Sequence, residues 1–559
     1  MNDVIRQAIA DTISTLGLPS VDFAVEHPAD LSHGDYASNV AMVLAKPAGK
    51  SPRALAEELV SALTGQIEYV EKIEIAGPGF LNFHLTRDFF TAELARIAAA
   101  PGEWGKNMSQ NGQEIIFEYT SPNLFKPLHI GNLVGNIIGE AVSRLFEYAD
   151  ATVRRVNYPS DIGLTVAKGV WGLKKTGGDP ASITEIGEAY RVGNEAYEND
   201  STAKLEIETV NRALYAESDD ELLTLRARGL ETSKARLAEL CEMLGTRFDT
   251  TIYESDVSES GKQLVLEKLG SVFAESDGAV VYHGEKHGLH TRVFVNSQGL
   301  PTYEAKDVGN FAKKRSVYPE WTQSFVVTGN EQSEYFKVLT AALREMFPDM
   351  GNKIFEHIAT GFLTLTTGKM SSRKGNVLTG ESLLAEVEEE ARKRAEESRA
   401  SDVDALTEMV AVAALKYQIL RQAPGTNIVF DKDKALSFEG DSGPYLQYTY
   451  ARIGSVQEKA VGLEIVASTE LAPETPYLVE RLIYQFPEVI QEALTEQAPQ
   501  MVTHYLTELA GAFNTFYATE KIADRDDTYA PYKLALALAV QTTLKNGLWV
   551  LGIKAPKSL

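Results

Sequence analysis

Glu114-Ile115-Ile116-Phe117-Glu118-Tyr119-Thr120-Ser121-Pro122-Asn123-Leu124-Phe125-Lys126-Pro127-Leu128-His129-Ile130-Gly131-Asn132 is the stretch that decides the fold. Residues 114 to 119 hold an apolar, β-branched and aromatic run that predicts a short buried strand. Ser121-Pro122-Asn123 breaks it, and Ile130, Leu133, Val134, Ile137, Ile138, Ala141, Val142 and Leu145 then recur at helical spacing. His129 and Gly131 therefore fall in the first turn of a helix rising from a strand, where free backbone N–H groups and the positive end of the dipole suit an anion. Gly131 leaves room for a base or phosphate against the backbone, and His129 and Asn132 can face one ligand. Taken singly, a His-x-Gly-x at such a junction is more often an ordinary strand-to-helix connection.

Lys369-Met370-Ser371-Ser372-Arg373-Lys374-Gly375 changes that balance. Leu363 and Leu365 close an alternating run, Thr366-Thr367-Gly368 make a polar turn, and the loop then offers cations, hydroxyls and a closing glycine. Flexible cations of this kind can follow negative charge as it builds on a departing pyrophosphate. A solvated basic loop is the plain alternative. The ordered pair describes a site that holds ATP from both ends.

The pair resembles the two signature motifs of class I aminoacyl-tRNA synthetases, and Glu118 to His129 resembles the segment typical of arginyl-tRNA synthetases. Gly34-Asp35-Tyr36-Ala37-Ser38-Asn39-Val40-Ala41 and Gly77-Pro78-Gly79-Phe80-Leu81-Asn82-Phe83 resemble that family's additional N-terminal domain. Gly443-Pro444-Tyr445-Leu446-Gln447-Tyr448 with Arg452, and residues 509 to 517, resemble its helical anticodon-binding domain. The resemblance implies an α/β protein with a Rossmann-like parallel-sheet catalytic domain over 106–425, carrying a helical insertion at about 166–280. It also implies a small N-terminal α+β tRNA-binding domain over 1–86 and an all-α anticodon-binding domain over 426–559.

The remaining sequence agrees with this division. Residues 2 to 17 predict an amphipathic helix stopped by Gly17, and Ser51-Pro52 starts another with Leu55, Leu59 and Leu63 on one face. Ile73, Ile75, Leu81, Phe83 and Leu85 alternate as strands. From Thr165 to about Arg247 the chain reads as charged helices, with strands resuming at Ala279 to Val295, an insertion between two halves of one parallel sheet. Residues 383 to 399 predict a helix whose i,i+4 pairs of acids and bases form a solvated face.

Composition is compatible with this reading without establishing it. At 559 residues the chain holds several domains, and its one cysteine excludes a disulfide framework. With no signal core or membrane-length apolar run, a cytoplasmic protein without a membrane partner is expected, as a monomer. The 78 acidic against 54 basic residues give a net charge of -24, which offers no global attraction for a polyanion. An RNA partner must then be held by local cations, shape and contacts to unpaired bases.

The resemblance assigns residues to roles. Lys126, His129, Asn132, Lys369 and Arg373 are implied to be catalytic, and Gly131, Met370, Ser371, Ser372 and Lys374 to join in binding Mg-ATP. Arginine presents a planar, permanently charged group rich in donors, so its pocket needs acids and hydroxyls. Glu118, Asp307 and Tyr303 fit and match the family's guanidinium-binding positions, while Ser121, Asn123 and Gln332 match those holding the α-amino and carboxylate groups. Tyr445, Gln447 and Arg452 are implied to meet tRNA(Arg). The implied reaction makes arginyl-adenylate from L-arginine and ATP, then transfers arginine to the 2′-hydroxyl of the tRNA end. The arginyl subgroup usually needs tRNA even for the first step.

Three positions depart from the usual pattern. Asn132 replaces a histidine of the first motif, Ser372 replaces a lysine of the second, and Tyr335 stands where a histidine is common. Lys126 can replace the missing charge as a point cation at a helix mouth. Among lesser features, His283, His287 and His290 have metal-like spacing but no cysteines nearby, so no metal site is expected. Cys241 sits in an apolar helical stripe and is read as core, and Asp161 as a site-bordering residue or a helix cap. Another class I synthetase, a small-molecule adenylyltransferase and a non-catalytic tRNA-binding paralogue remain as alternatives. The single cysteine, the Glu118 and Asp307 pair, the long helical tail and the intact Lys126, His129 and Lys369 weigh against them.

Overall fold

The structure, a computed structural model, describes residues 1–366, 379–396 and 402–556. The chain forms two compact units, the first built from Met1–Gly105, Arg452–Val489 and Glu508–Asn546. In it α1 (Asn2–Thr15) buries Ile5, Ile9 and Ile13, and the chain turns at Gly17, whose φ is +63°. An antiparallel sheet of β1 (Val25–Glu26), β2 (Tyr36–Ser38), β3 (Val70–Ala76) and β4 (Phe80–Leu85) has the order β1-β2-β4-β3. It is accompanied by α2 (Val40–Ala48), α3 (Pro52–Leu63) and α4 (Arg87–Ala99). Ser51 caps α3 by accepting a bond from the Ala54 N–H, and Leu55, Leu59 and Leu63 are buried from it.

Tyr484 packs into the same core as the N-terminal residues. Beside it Asp35, wholly buried, accepts a bond from the Leu85 N–H at 2.8 Å and pairs with Arg481. Removing one partner of a buried ion pair leaves an uncompensated charge, so Arg481→Ala should cost about 3 kcal/mol in chemical denaturation. A loss below about 1 kcal/mol would show that water takes over from the guanidinium.

The second unit comprises Lys106–Ala451, Ile490–Thr507 and Gly547–Leu559. Its chain runs β5 (Glu114–Glu118), α5 (Ile130–Tyr148) and β6 (Thr152–Asn157), then α6 (Leu164–Thr176), α7 (Ile183–Asn199), α8 (Ser201–Ala216) and α9 (Asp220–Met243). After β7 (Thr250–Thr251) and α10 (Glu254–Glu267) come β8 (Ala274–Ser276), β9 (Ala279–Tyr282) and β10 (Arg292–Val295). Then follow α11 (Tyr303–Val317), β11 (Gln323–Gly329), α12 (Ser333–Met346), β12 (Ile354–Thr360), β13 (Leu363–Leu365), α13 (Gly380–Glu396), α14 (Val403–Leu420) and β14 (Ile428–Phe430).

Five strands make one parallel sheet of order β12-β11-β5-β6-β7. The strands expected to resume this sheet at Ala279 to Val295 instead form a separate antiparallel sheet, β10-β9-β8. Short connections explain it: β8 to β9 is a tight turn through Asp277 and Gly278, and only antiparallel partners can be joined that way. The parallel sheet itself resumes at β11. The chain leaves β5 toward β6 on one side and returns as β11 on the other, so a cleft opens beyond the carboxyl ends of β5 and β11.

The helices between β6 and β7 are fastened by glycines. A Cβ on Gly172 would stand 2.0 Å from the Ala189 carbonyl oxygen, and one on Gly193 2.1 Å from that of Lys168, so α6 and α7 meet backbone to backbone. Phe125, fully buried, fills a slot between α6 and α9 made by two further glycines. A Cβ on Gly169 would lie 2.8 Å from its ring, and one on Gly229 2.4 Å. Alanine at a helix glycine ordinarily gains up to about 1 kcal/mol. Here overpacking outweighs that gain, and Gly229→Ala should destabilise by about 2 kcal/mol, with Phe125→Leu in the same chain returning most of it. Additive losses in a double-mutant cycle would refute the slot.

Candidate active site

The connection from β5 to α5 is strained where it turns. Thr120, Ser121 and Phe125 have φ of +73°, +38° and +66°, a conformation that side-chain-bearing residues rarely adopt. Neighbours hold it there. Asn132 Nδ2 donates to the Thr120 carbonyl at 2.8 Å, and Asn136 Nδ2 to its hydroxyl at 2.9 Å. The Ser121 N–H donates to Asn157 Oδ1 at 3.2 Å, and Asn123 bridges to Ser160 beyond β6. Asn132, expected to serve a ligand, thus spends one N–H on the loop itself.

His129 is the N-cap of α5, and its Nδ1 accepts the Gly131 N–H at 3.1 Å. That bond leaves the other ring nitrogen, Nε2, to carry the proton of a neutral imidazole. Partial burial, then the charge of Lys126, lower the histidine pKa, while Glu331 opposes them. Lys126 is half-buried and has no ion-pair partner among the described residues; it lies 5.9 Å from the Tyr190 ring. Burial, then the like charge of Lys168, lower its pKa. Lys168, which the sequence did not single out, is itself buried and held by Asn194 at 2.9 Å. Lys168 also pairs with Glu198 at 3.8 Å, whereas Lys126, at the mouth of α5 with no ion-pair partner among the described residues, leaves a place for phosphate.

Lys369, Met370, Ser371, Ser372, Arg373 and Lys374 lie outside the described residues. The chain on both sides of them is described. Ahead of them β13 pairs with β14, and after them Thr379 bridges to His129 while the Gly380 N–H donates to the Leu128 carbonyl at 2.8 Å. Glu381 accepts the Leu128 N–H at 3.1 Å and pairs with Arg236 of α9 at 3.0 Å. The segment after the second motif is therefore hydrogen-bonded to Leu128, the residue just before the histidine of the first.

Across the strand ends lies an acidic group. Glu118, at the end of β5, is paired in register with Val326 of β11 and Val156 of β6. Its Oε2 accepts bonds from Lys314 at 2.6 Å and Asn310 at 2.9 Å, both from α11. Its Oε1 has no partner among the described residues. Asp307, one turn before Asn310, is partly buried, accepts the Tyr335 hydroxyl at 2.5 Å, and has no cation within 4.0 Å among the described residues. Burial above all raises its pKa to about 8, with Glu118 and Glu254 adding to the rise against the Tyr335 bond and Lys314. Tyr335 thus occupies the histidine's place as a hydrogen-bond donor to Asp307.

The other expected residues fall into two groups. Tyr303 opens α11 and is 61 % exposed, Gln332 ends an exposed turn after β11, and the Ser121 hydroxyl accepts the Tyr158 N–H at 3.3 Å. These stand at the ends of the same strands. Gln447 does not fit its expected place on a nucleic-acid surface: it is fully buried and donates to the Lys554 carbonyl at 2.8 Å, an internal bond. Tyr445 is half-buried, and Arg452 bonds Asn514 at 2.5 Å and stacks over Tyr517 at 5.1 Å.

Asp161 is neither free nor a simple cap. It joins Ser255 of α10 at 2.7 Å to Arg226 of α9 at 3.2 Å. Cys241 is buried and burial pushes its thiol up to about 12, the behaviour of a core residue. His287 is bonded to Glu345 at 2.8 Å, and no group of three or more metal-ligating side chains occurs among the described residues. Nor is any described helix long and apolar enough to cross a membrane.

Comparison with known proteins points to one family. Residues 95–432 match the family described as tRNA synthetases class I (R), catalytic domain, which covers more than half of the chain. Residues 3–85 match the arginyl tRNA synthetase N terminal domain, and 446–559 the DALR anticodon binding domain. The arginine–tRNA ligase of Limosilactobacillus reuteri is 31% identical over 575 residues, spanning 99% of both chains. That of Streptococcus pneumoniae serotype 19F is 30% identical over 569 residues, spanning 100% of this chain and 99% of its own. The structure of Thermus thermophilus arginyl-tRNA synthetase superposes with a TM-score of 0.83 at 27% identity over the whole of each chain. With a family match over more than half of its length and relatives at 30% identity or above over nearly all of it, the chain belongs to the arginyl-tRNA synthetase family of class I.

Proposed function

We infer that this protein is an arginine–tRNA ligase, joining L-arginine to tRNA(Arg) through an arginyl-adenylate made from Mg-ATP. One juxtaposition carries the reading. At the ends of the same parallel strands stand a cation without an anion, Lys126, and a carboxyl group without a cation, Asp307, each left so among the described residues. A substrate pair bringing phosphates to the first and a guanidinium to the second completes both.

The chemistry asks for little covalent help. The arginine carboxylate attacks the α-phosphate and pyrophosphate leaves; a ribose hydroxyl at the tRNA end then attacks the adenylate carbonyl and AMP leaves. Catalysis lies in alignment and charge neutralisation. His129 offers an Nε2–H donor from the first turn of α5, Lys126 a point charge, and Gly131 an open approach. Lys369, Arg373 and Lys374 supply the charges for pyrophosphate, with Met370, Ser371 and Ser372 beside them in sequence. Asp307 and Glu118 Oε1 receive the guanidinium, Tyr303 stands at the rim, and Ser121, Asn123 and Gln332 hold the α-amino and carboxylate groups.

No editing site is required, since a pocket built to hydrogen-bond a polar side chain rejects analogues lacking it by about 10⁴ or more. Binding of tRNA by a chain of net charge -24 relies on local cations and unpaired-base contacts, for which Tyr445 and Arg452 remain the candidates. Arginine-dependent exchange between pyrophosphate and ATP, assayed with and without tRNA, tests the first step. Exchange that depends on arginine supports the reading. Its absence in both conditions, with tRNA binding retained, would make the chain a non-catalytic tRNA-binding paralogue.

A further inference from the structure

Tyr158 stands just beyond β6, two residues after Val156, and Val156 is paired with Glu118 across the sheet. Paired residues of neighbouring strands share a face, as do residues two apart on one strand. The Tyr158 ring accordingly belongs to the core cluster that contains Ala305 and Val308 of α11, the helix that carries Asp307. Tyr158 is 8 % exposed, and its hydroxyl has no hydrogen-bond partner among the described residues. Burial raises the hydroxyl's pKa well above its ordinary value, and the carboxylates of Asp307, Glu254, Glu118 and Asp161 raise it further.

Each of those acids is engaged elsewhere. Glu254 holds Lys306 at 2.6 Å, Glu118 holds Lys314 and Asn310, Asp161 holds Ser255 and Arg226, and Asp307 accepts from Tyr335. The phenol is thus surrounded by negative charge yet bonded to none of it. An unpaired buried hydroxyl weakens a fold, so a tyrosine kept here for packing alone would be better as phenylalanine. On the same helix the Oδ1 of Asn310, three residues after Asp307, is a second buried acceptor without a partner among the described residues.

We propose that the Tyr158 hydroxyl is an arginine-selecting contact, accepting a hydrogen bond from the substrate guanidinium. This rests on the reading of the acidic group as the arginine pocket. A guanidinium has five N–H donors spread over a plane, more than Asp307 and one free oxygen of Glu118 can receive in line. Further acceptors set at other angles are what separates it from an ammonium ion, whose three donors leave one point. Tyr158 supplies such an acceptor from just beyond β6, in the cluster it shares with Ala305 and Val308 of α11.

Tyr158→Phe in the full-length protein removes one oxygen and keeps the ring. Calorimetric titration with arginine should show affinity weaker by about ten- to a hundredfold. The KM for ATP should be unchanged, and the melting temperature of the free variant no lower than that of the wild type. Arginine affinity within twofold of the wild type would overturn the proposal. So would a free variant melting several degrees lower, which would reveal an internal partner for the hydroxyl. Wild-type protein titrated alongside separates the two levels: if it binds arginine and Tyr158→Phe binds equally well, only the tyrosine's role falls. If the wild type binds no arginine, the reading of the pocket falls first and this contact with it.

Discussion

Changing Asp307 to asparagine is expected to raise the KM for arginine by at least about a hundredfold while leaving the KM for ATP near its original value. The substitution keeps shape and removes charge. Truncating one side of a desolvated charge pair typically costs 2 to 5 kcal/mol, and about 3 kcal/mol corresponds to that factor. In the free protein the carboxyl titrates near 8 because burial and the neighbouring acids disfavour its ionised form. A guanidinium reverses that preference, so arginine binding expels a proton wherever the free enzyme still holds one. Arginine affinity should therefore strengthen as pH rises toward about 8, by up to tenfold per unit, and flatten above it.

Stability runs the other way. Between the ordinary carboxyl value of 3.8 and about 8 the folded chain holds a proton that the unfolded chain has lost. Stability contributed at this site consequently falls as pH rises through that window. The asparagine variant should lack both the pH dependence of binding and that loss of stability. Parallel titrations of the two proteins across the window check both, and identical arginine affinities at pH 8 would remove Asp307 from the pocket.

The second large effect is at the other end of the site. Lys126→Ala should lower the turnover number for adenylate formation by about 10² to 10³, with arginine affinity changed less than twofold. The charge Lys126 meets builds on phosphate as pyrophosphate departs, and removing one preorganised group of this kind costs about 3 to 4 kcal/mol of transition-state stabilisation. Its present environment supports that assignment, since Lys168 repels it and no acid answers it among the described residues. Single-turnover measurements separate chemistry from binding. An unchanged rate would show that the cation serves only to pack against Tyr190.

The local half of this architecture was written in the sequence. The run through β5, the break at Pro122 and the helical spacing of the apolar residues of α5 determine one another within a few turns of chain, so period and turn chemistry suffice to place them. The same holds for α1 and for α3 with its Ser51 cap. What escaped was set by distance along the chain. The partners of Glu118 are Lys314 and Asn310, separated from it by 196 and 192 residues, and nothing near Glu118 announces them. Phe125 looks like an ordinary loop aromatic until Gly169 and Gly229 are brought to its ring. Gln447 lies in a motif shared with a nucleic-acid-binding region, yet burial against the Lys554 carbonyl gives it internal work. The strands after Ala279 had the right composition and the wrong sheet, because strand propensity names an extended segment without naming its neighbour.

The pairing of a phosphate-gripping helix mouth with a guanidinium pocket is the claim on which the remainder depends. It is tested most directly by charging unfractionated tRNA with each amino acid offered singly, using the wild-type chain alongside Asp307→Asn and Lys126→Ala. The account predicts that arginine alone labels tRNA in the wild type. Raising the arginine concentration should restore labelling to Asp307→Asn and not to Lys126→Ala. Preferential labelling by lysine, cysteine or any other amino acid would contradict it.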